Sequence, residues 1–251
     1  MATRRNGWLR LGSLLGGVAL ILFAACGEDT RPTSKIFQAP PWTGPEAYRY
    51  QLVQREHIYG YCELRTTPEA EPGRTKLERL CYDEEGFRDD GEAVVDSRTL
   101  QPFSAKRVNV DPKKNRTATR TARYEADQVT LTLDLDGETR SVTRELPKPD
   151  ETSPDPGWYD DESMLWLVRG IPLEEGWEGA YHNVSVGTAQ ITVAEVTVLR
   201  RTRVTVPAGE FEAWEVLVRS SITNRIWVNA AAPHQVVKAQ IEQITYELLA
   251  E

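Results

Sequence analysis

Two cysteines in the first half of the chain have the spacing that most directly suggests chemistry. Cys62 and Cys81 flank Thr66–Arg74, a stretch whose proline and glycine content is typical of a turn. If this turn joins two strands, a register that pairs Cys62 with Cys81 also pairs Arg65 with Glu78, and the sulfurs lie on neighbouring strands. An oxidising compartment would then permit a disulfide that stabilises the fold by about 2–4 kcal/mol. Buried free thiols and a catalytic or metal-binding pair are the alternatives, and no CxxC or Cys-His spacing favours the last of these.

An acidic cluster and a serine are the next groups that could do chemistry. Asp160, Asp161 and Glu162 could bind calcium, but we expect them to cap and stabilise the N-terminus of a helix. Ser163 follows them without the GxSxG pattern that surrounds a hydrolase nucleophile. We therefore expect Ser163 to be an ordinary residue of the same helix.

The three histidines offer no recognisable metal site. His57, His182 and His234 form neither an HExxH motif nor a close pair, so a zinc site would need ligands gathered by the fold. The sequence therefore predicts a protein that is not an enzyme and that holds no metal or other cofactor.

Tryptophans and one arginine suggest a ligand groove. Tryptophan side chains can line an apolar or sugar-binding groove, although they more often pack in a core. The arginine follows an apolar stripe and could meet an anionic headgroup of a ligand, with a structural ion pair as the alternative. The candidate groove residues are Trp166, Arg169, Trp214 and Trp227.

Alternating apolar and polar residues predict that antiparallel strands position these side chains. In Gln128–Leu135 the alternation is regular, and Asp136-Gly137 is a strong hairpin signal after it. Pro207-Ala208-Gly209 similarly separates two strands within VTVPAGEFEAWEVLV. Further strands are predicted over Tyr48–Leu64 with a bend at Gly60, over Gln190–Val198, over Asn224–Asn229 and over Val236–Leu249.

One short helix is expected among these strands. Asp161–Arg169 has apolar residues near helical spacing, and Gly170 follows as a stop signal. Strands every 8–12 residues with a single helix indicate an all-β fold, a single curved antiparallel sheet or half-barrel, over residues 46–251.

The N-terminus is typical of an exported protein. Arg4, Arg5 and Arg10 precede the apolar run Leu11–Ala25, which is short for a transmembrane span. The Ala-Ala before Cys26 resembles the lipobox of bacterial lipoproteins. The resemblance implies a signal peptide over residues 1–25, acylation of Cys26, and a lipid-anchored protein on the outer side of the bacterial inner membrane or beyond. An ordinary cleaved signal peptide is the alternative.

Charge and composition limit the partners. Residues 26–45 are polar and proline-rich, which predicts an extended tether between the anchor and the domain. The chain has a formal net charge of −8, and its signal segment carries no acidic residue, so the remainder is more acidic still. An acidic domain repels phosphate backbones, which argues against nucleic-acid binding and against docking on anionic lipid through a basic face.

An ordered set of motifs resembles a family of bacterial exported proteins known only as a domain of unknown function. Its hallmarks are an "S-x-L-x-x-x-R-x-x-P-L-x-x-G" stretch, a "V-P-A-G-x-F-x-A" turn and a "W-x-x-x-x-x-P" strand. The matching residues are Ser163, Leu165, Arg169, Pro172, Leu173 and Gly176, then Pro207, Ala208, Gly209, Phe211 and Ala213, then Trp227 and Pro233. The resemblance covers roughly residues 46–249. Its architecture is similar to that of the lipoprotein carriers LolA and LolB, whose half-barrels hold acyl chains.

Three functions are compatible with these observations. The leading hypothesis is a membrane-anchored lipoprotein that binds or carries a lipid or other amphipathic envelope molecule between the sheet and the Asp161–Arg169 helix. The alternative is a structural or protein- or glycan-binding module of the cell envelope with a filled sheet. The third is an envelope hydrolase, which would need His182 or His234 close to Asp160 and Ser163.

Overall fold

The computed structural model of the protein describes residues 36–148 and 157–250. The expected signal peptide, Cys26 and the first part of the expected tether lie outside the described residues. The second part of that tether belongs to the folded domain: Ile36, Phe37 and Trp42 are buried in its core, and the Gln38 amide donates to the Gly170 carbonyl. These three large side chains supply the apolar area that a free tether lacks, so the domain begins before residue 46.

The described residues form fifteen strands and one short α-helix. The first eight strands are β1 (Glu46–Gln54), β2 (His57–Glu71), β3 (Arg74–Asp83), β4 (Arg88–Asp96), β5 (Pro102–Asp111), β6 (Arg116–Tyr124), β7 (Gln128–Leu135) and β8 (Glu138–Glu145). After them come β9 (Trp158–Asp160), α1 (Met164–Leu167), β10 (Glu178–Ser185), β11 (Gln190–Val206), β12 (Gly209–Arg219), β13 (Thr223–Asn229), β14 (Val236–Ile241) and β15 (Ile244–Leu248). Short 3₁₀ turns occupy Pro112–Lys114 and Asp161–Ser163.

All fifteen strands belong to one open, curved sheet. Its order runs from β8 down to β1, then from β15 down to β9. Each strand pairs with its sequence neighbour in an antiparallel meander, except that β9 is parallel to β10, and β1 pairs with β15. The predicted fold class, a single curved antiparallel sheet with one short helix, is confirmed. The pairing of Tyr50 with Leu248 joins the first and last strands at the middle of the sheet.

The curvature brings the two arms of the sheet towards each other. The Tyr124 ring on β6 stacks on the Trp158 ring on β9, with centroids 5.4 Å apart. The Tyr124 hydroxyl also donates a hydrogen bond to the Asp160 carboxylate, just after that stack. The helical segment Asp161–Leu167 therefore lies inside the curve, where its buried residues Leu165, Trp166 and Leu167 face the core.

The helix is shorter than the sequence predicts. The Asp160 side chain accepts a hydrogen bond from the Glu162 amide and so starts a 3₁₀ turn, and α1 ends at Leu167. Val168 and Arg169 continue as a turn, in which the Arg169 amide donates to the Trp166 carbonyl.

Several turns differ from the predicted ones. The first hairpin turns at Arg55 and Glu56, both with positive φ, and not at Gly60. Gly60 instead lies within β2, where an added Cβ would meet the Tyr82 carbonyl oxygen at 2.4 Å. Glu242, also at positive φ, divides the strand predicted over Val236–Leu249. Charged residues in the left-handed region give no glycine or asparagine signal, which is why these turns were not predicted.

One further difference concerns the continuity of a strand. β11 runs unbroken through a bulge between Val198 and Arg200, so the strand predicted to end at Val198 continues to Val206. The β2–β3 register pairs Cys62 with Cys81 and Arg65 with Glu78, as predicted. Cys62 and Cys81 form a disulfide. Within the described residues, no helix is long and apolar enough to cross a membrane.

Candidate functional site

A cavity of about 410 Å³ lies inside the curve of the sheet, beside the helical segment. Its walls come from β3, β4 and β5 on one arm, from β10, β11 and β13–β15 on the other, and from the start of α1. The apolar lining includes Met164, Leu165, Ile222, Ile241 and Ile244. The polar lining includes Asn183, Ser185, Thr188, Gln190, Thr192, Ser220, Ser221 and Asn224. The cavity is therefore amphipathic.

Four charged side chains form one wall of the cavity; we call Arg79, Asp89, Arg107 and Glu162 the cavity ion cluster. Arg79 donates to Glu162 Oε2 at 3.0 Å and to Asp89 Oδ2 at 3.2 Å. Arg107 binds both oxygens of Asp89, each at 2.8 Å, through Nε and Nη2. The Asn109 amide adds a 2.7 Å bond to the same carboxylate. Each charge thus has a partner of opposite sign, as buried charges require.

Gly91 leaves the space that the cavity ion cluster needs for the Glu162 carboxylate. Cross-strand pairing sets Arg79, Gly91 and Arg107 in one row across β3, β4 and β5. The side chains of a row point to the same face of a sheet, so Gly91 leaves a gap between the two arginines. The Glu162 carboxylate fills that gap, because a Cβ on Gly91 would stand 1.9 Å from its Oε2.

The environment moves the pKa values of these carboxyl groups in opposite directions. Burial opposes ionisation of Asp89, but Arg79 and Arg107 outweigh it and lower the Asp89 pKa to about 2. Burial raises the pKa of Glu162, against the opposing pull of Arg79. Burial and the neighbouring Asp161 raise the Asp160 pKa well above its usual range. Asp89 is therefore the fixed anion of the cluster.

The three consecutive acids have three different partners and do not converge on one point. Asp160 caps the Glu162 amide, Asp161 accepts from the Val186 amide at 3.2 Å, and Glu162 pairs with Arg79. Across the described ranges, no group of three or more histidines, cysteines and acids is arranged to hold a metal ion. The acidic cluster is thus divided between capping and ion pairing.

The serine and His234 are likewise engaged elsewhere. Ser163 is fully buried, and its hydroxyl donates to the Asp160 carbonyl at 2.7 Å. His234 Nδ1 lies 2.9 Å from the Asn229 carbonyl oxygen. In the part of the chain that the structure describes, no hydrogen bond links a histidine to Ser163 or to Asp160.

Two of the four predicted groove residues lie outside the cavity, in a closed network of their own. Arg169 donates through Nε to the His234 carbonyl, through Nη2 to the Pro233 carbonyl, and through Nη1 to the Glu46 carboxylate. Thr66 also donates to Glu46, and the Trp166 indole donates to the Thr66 hydroxyl at 2.8 Å. We call these residues the Arg169 network.

The other two predicted groove residues are divided between opposite faces of the sheet. Trp214 pairs with the buried Val228 and so shares the core-facing side of β12 and β13. Trp227 pairs with Glu215 on the other side, and the Lys238 ammonium lies 6.0 Å from its ring centroid. Because alternate residues of a strand point to opposite faces, Trp214 and Trp227 cannot line one groove. None of the four lines the cavity.

Sequence reasoning missed the cavity ion cluster, apart from Glu162, although a local signal exists. In β3 the inward positions read Thr75, Leu77, Arg79 and Cys81, all buried. A charged residue at an inward position of a regular strand is unusual and marks either an ion pair or a site. The contribution of β5 depends on the pairing of distant strands, so the alternation within one strand could not reveal it.

Comparison with known proteins places the chain in a family. A family described as "Protein of unknown function (DUF3108)" matches residues 82–244, more than half of the chain. The chain belongs to this family. The predicted membership in a β-rich family named for a domain of unknown function is thereby confirmed, and the family name carries no activity.

One solved structure resembles the fold at low identity. It is the crystal structure of a β-barrel-like protein of the domain of unknown function DUF1849 from Brucella abortus, with a TM-score of 0.49 and 9% identity. The match covers 86% of this chain and 97% of the other. The search of curated proteins found no match.

Proposed function

We propose that this member of the DUF3108 family is a non-enzymatic binding protein that holds an amphipathic molecule of the cell envelope in the cavity beside α1. The observation that carries the proposal is the cavity itself. Its volume of about 410 Å³ falls in the range of roughly 300–1,000 Å³ that is usual for small-ligand sites. It also lies between the sheet and the predicted helical segment, where the leading hypothesis put the ligand.

The two kinds of lining match the two ends of an amphipathic ligand. Met164 and Leu165 from the helical segment and Ile241 and Ile244 from the β14–β15 hairpin offer an apolar surface to a hydrocarbon tail. Ile222 is 38% exposed, so apolar surface is also present where the cavity meets solvent. The cavity ion cluster and the hydroxyl and amide side chains are left for the polar end.

The anchoring part of the proposal rests on the sequence. Arg4, Arg5 and Arg10, the apolar run and Ala-Ala-Cys26 support export and acylation, which would place the domain on the outer side of the inner membrane or beyond. The architectural resemblance to the LolA and LolB carriers is likewise offered only as part of this proposal. In bacterial cells, Cys26→Ser should abolish labelling of the protein by palmitate. Labelling that persists in the Cys26→Ser protein would contradict the anchor.

The non-enzymatic part rests on the state of the polar groups. Ser163 is buried with its hydroxyl engaged by backbone, and the carboxylates of the cavity ion cluster are held by arginines. A nucleophile needs a base within hydrogen-bond reach, and the Ser163 hydroxyl donates its proton to a backbone carbonyl instead.

A cavity-filling substitution tests the binding function. In the full chain with Cys26→Ser, which carries no acyl chain, native mass spectrometry would detect a co-purifying amphiphile, and titration with a fluorescent apolar probe would give its affinity. Ser220 is half-buried in the cavity wall, so Ser220→Trp should weaken probe binding about 10-fold by occupying the space.

The matched control lies three residues away. Thr223 is exposed and does not line the cavity, so Thr223→Trp should leave probe affinity unchanged. A clean protein mass together with no probe binding would overturn the proposal. It would favour the alternative, an envelope module that binds a protein or glycan on its surface.

A further inference from the structure

Two neighbouring atoms of the cavity ion cluster, one on Glu162 and one on Arg107, make no hydrogen bond among the described residues. Glu162 Oε2 is held by Arg79, and Arg107 Nε and Nη2 are held by Asp89. Their remaining atoms, Glu162 Oε1 and Arg107 Nη1, stand 3.7 Å apart, which makes them an ion pair but is beyond hydrogen-bond distance. The cavity wall therefore presents one open acceptor beside one open donor.

The surrounding structure holds the Glu162 carboxylate and the Arg107 guanidinium in place. The Glu162 side chain is only 3% exposed, and the gap above Gly91 fixes the position of its carboxylate. Two bonds to Asp89 fix the plane of the Arg107 guanidinium. A ligand group that both accepts and donates would complete the two atoms without moving either side chain, which keeps the entropic cost of binding low.

A charged head would be buried here without a free counter-charge. An anion near Arg107 would also meet Asp89, Asp161 and Glu162, and a cation near Glu162 would meet Arg79 and Arg107. Both arginines already have carboxylate partners. Burial of a charge without a partner costs several kcal/mol, on the order of the whole affinity of a weak ligand, so an uncharged head is favoured.

A second buried group on the cavity wall also lacks a partner. Asn224 is only 4% exposed, and its amide nitrogen makes a weak contact with Met164 Sδ at 3.4 Å. Its Oδ1 has no hydrogen bond among the described residues. Buried polar atoms without partners are rare and costly, and a ligand hydroxyl is one group that can supply the missing donor.

We propose that the polar end of the ligand is an uncharged hydroxylated group, such as a sugar ring, and that Glu162, Arg107 and Asn224 bind its hydroxyls. This inference rests on the proposed function. A hydroxyl both donates and accepts, so one hydroxyl or two adjacent ones can satisfy Glu162 Oε1 and Arg107 Nη1 together. The serines, threonines and amides of the polar lining suit the remaining hydroxyls.

Amphiphiles that share an octyl tail but differ in their head groups test the inference. Octyl β-D-glucopyranoside, octyl sulfate and octyltrimethylammonium would be titrated calorimetrically below their micelle concentrations into the full chain with Cys26→Ser. Octyl glucoside should bind at least about 10-fold more tightly than either charged probe, since hydrogen bonds to charged side chains are worth that much. Glu162→Gln should reduce the affinity for octyl glucoside about 10-fold and leave that for octyl sulfate equal or higher.

A second variant tests the inference even if Glu162→Gln fails to fold. Arg107 is 32% exposed and Arg107→Gln should lower octyl glucoside affinity in the same way, whereas the exposed Arg203→Gln should not. Equal binding of all three probes, or a preference for a charged head, would overturn the sugar-like head and leave the proposed function standing. Binding of no octyl probe would overturn both.

Discussion

Two arginine sites of this protein, one at the buried Arg169 and one at the half-buried Arg107, differ in what they leave open. Arg169 uses Nε, Nη1 and Nη2 on two carbonyls and one carboxylate, and its guanidinium also lies 5.2 Å from the Trp42 ring centroid. Arg107 uses Nε and Nη2 on Asp89 and leaves Nη1 towards the cavity. Charge and ion pairing alone therefore do not distinguish a structural arginine from one that can meet a ligand. The distinction lies in the unfilled donor and the empty space beside it.

Two of the three family-like motifs meet at the closed site. Arg169 of the "S-x-L-x-x-x-R" stretch binds the carbonyl of Pro233, which ends the "W-x-x-x-x-x-P" strand. These motifs therefore join the helical segment to the loop before β14, so they describe how the fold is held together. The cavity ion cluster lies largely outside them, on β3, β4 and β5.

The largest effect should come from breaking the closed site. Arg169→Met leaves the buried Glu46 carboxylate without its counter-charge and two carbonyls without the Arg169 donor, so the free energy of unfolding in urea should fall by about 3–5 kcal/mol. Amphiphile affinity of the folded protein should stay within about twofold, because Arg169 does not line the cavity. The exposed Arg203→Met is the control and should change neither. A stable Arg169→Met protein that no longer binds the probe would show that Arg169 serves ligand binding and not the stability of the fold.

A smaller and pH-dependent effect is expected at the open site. The Asp89 pKa is about 2 in the folded protein and about 3.9 in an unfolded chain, so its carboxylate stabilises the fold above about pH 4 and stops doing so as the pH falls to 2. Asp89→Asn should therefore lower the free energy of unfolding by about 2–3 kcal/mol at pH 7, and the difference should shrink below pH 4. Asp136→Asn, at an exposed turn, is the control. A difference that stayed constant down to pH 2 would contradict the ion cluster.

The smallest effect on stability should come from a substitution of Gly91, which lies between Arg79 and Arg107 in the cross-strand row. Gly91→Ala pushes a methyl group against Glu162, so we expect a loss of about 1–2 kcal/mol. The displaced carboxylate should also weaken octyl glucoside binding. Gly44→Ala is the matched control, since an added Cβ there meets nothing within 4 Å. If both variants behaved like the unmodified protein, the tight fit of Glu162 over Gly91 would be refuted.

Sequence patterns predicted the sheet better than they predicted the site. Period-two alternation and turns such as Asp136-Gly137 are local, so the antiparallel class and many strands followed from them. The cavity depends on long-range pairing, such as that of β1 with β15, and on the row that sets Gly91 between two arginines. The large side chains of Trp214 and Trp227 favour a groove in the sequence, but the cross-strand register puts them on opposite faces. Arg79, a charged residue at an inward position of β3, is the local sequence signal that indicates the cavity ion cluster.

Photo-crosslinking tests the central claim, that the cavity beside α1 is the ligand site, most directly. A glucoside whose octyl chain carries a diazirine would be irradiated with the full chain carrying Cys26→Ser, and labelled peptides mapped by mass spectrometry. We predict labels on Met164, Leu165 and Ile222 that excess octyl glucoside removes. Labels concentrated instead on the exposed outer tyrosine Tyr82, or labels that excess octyl glucoside leaves in place, would contradict it.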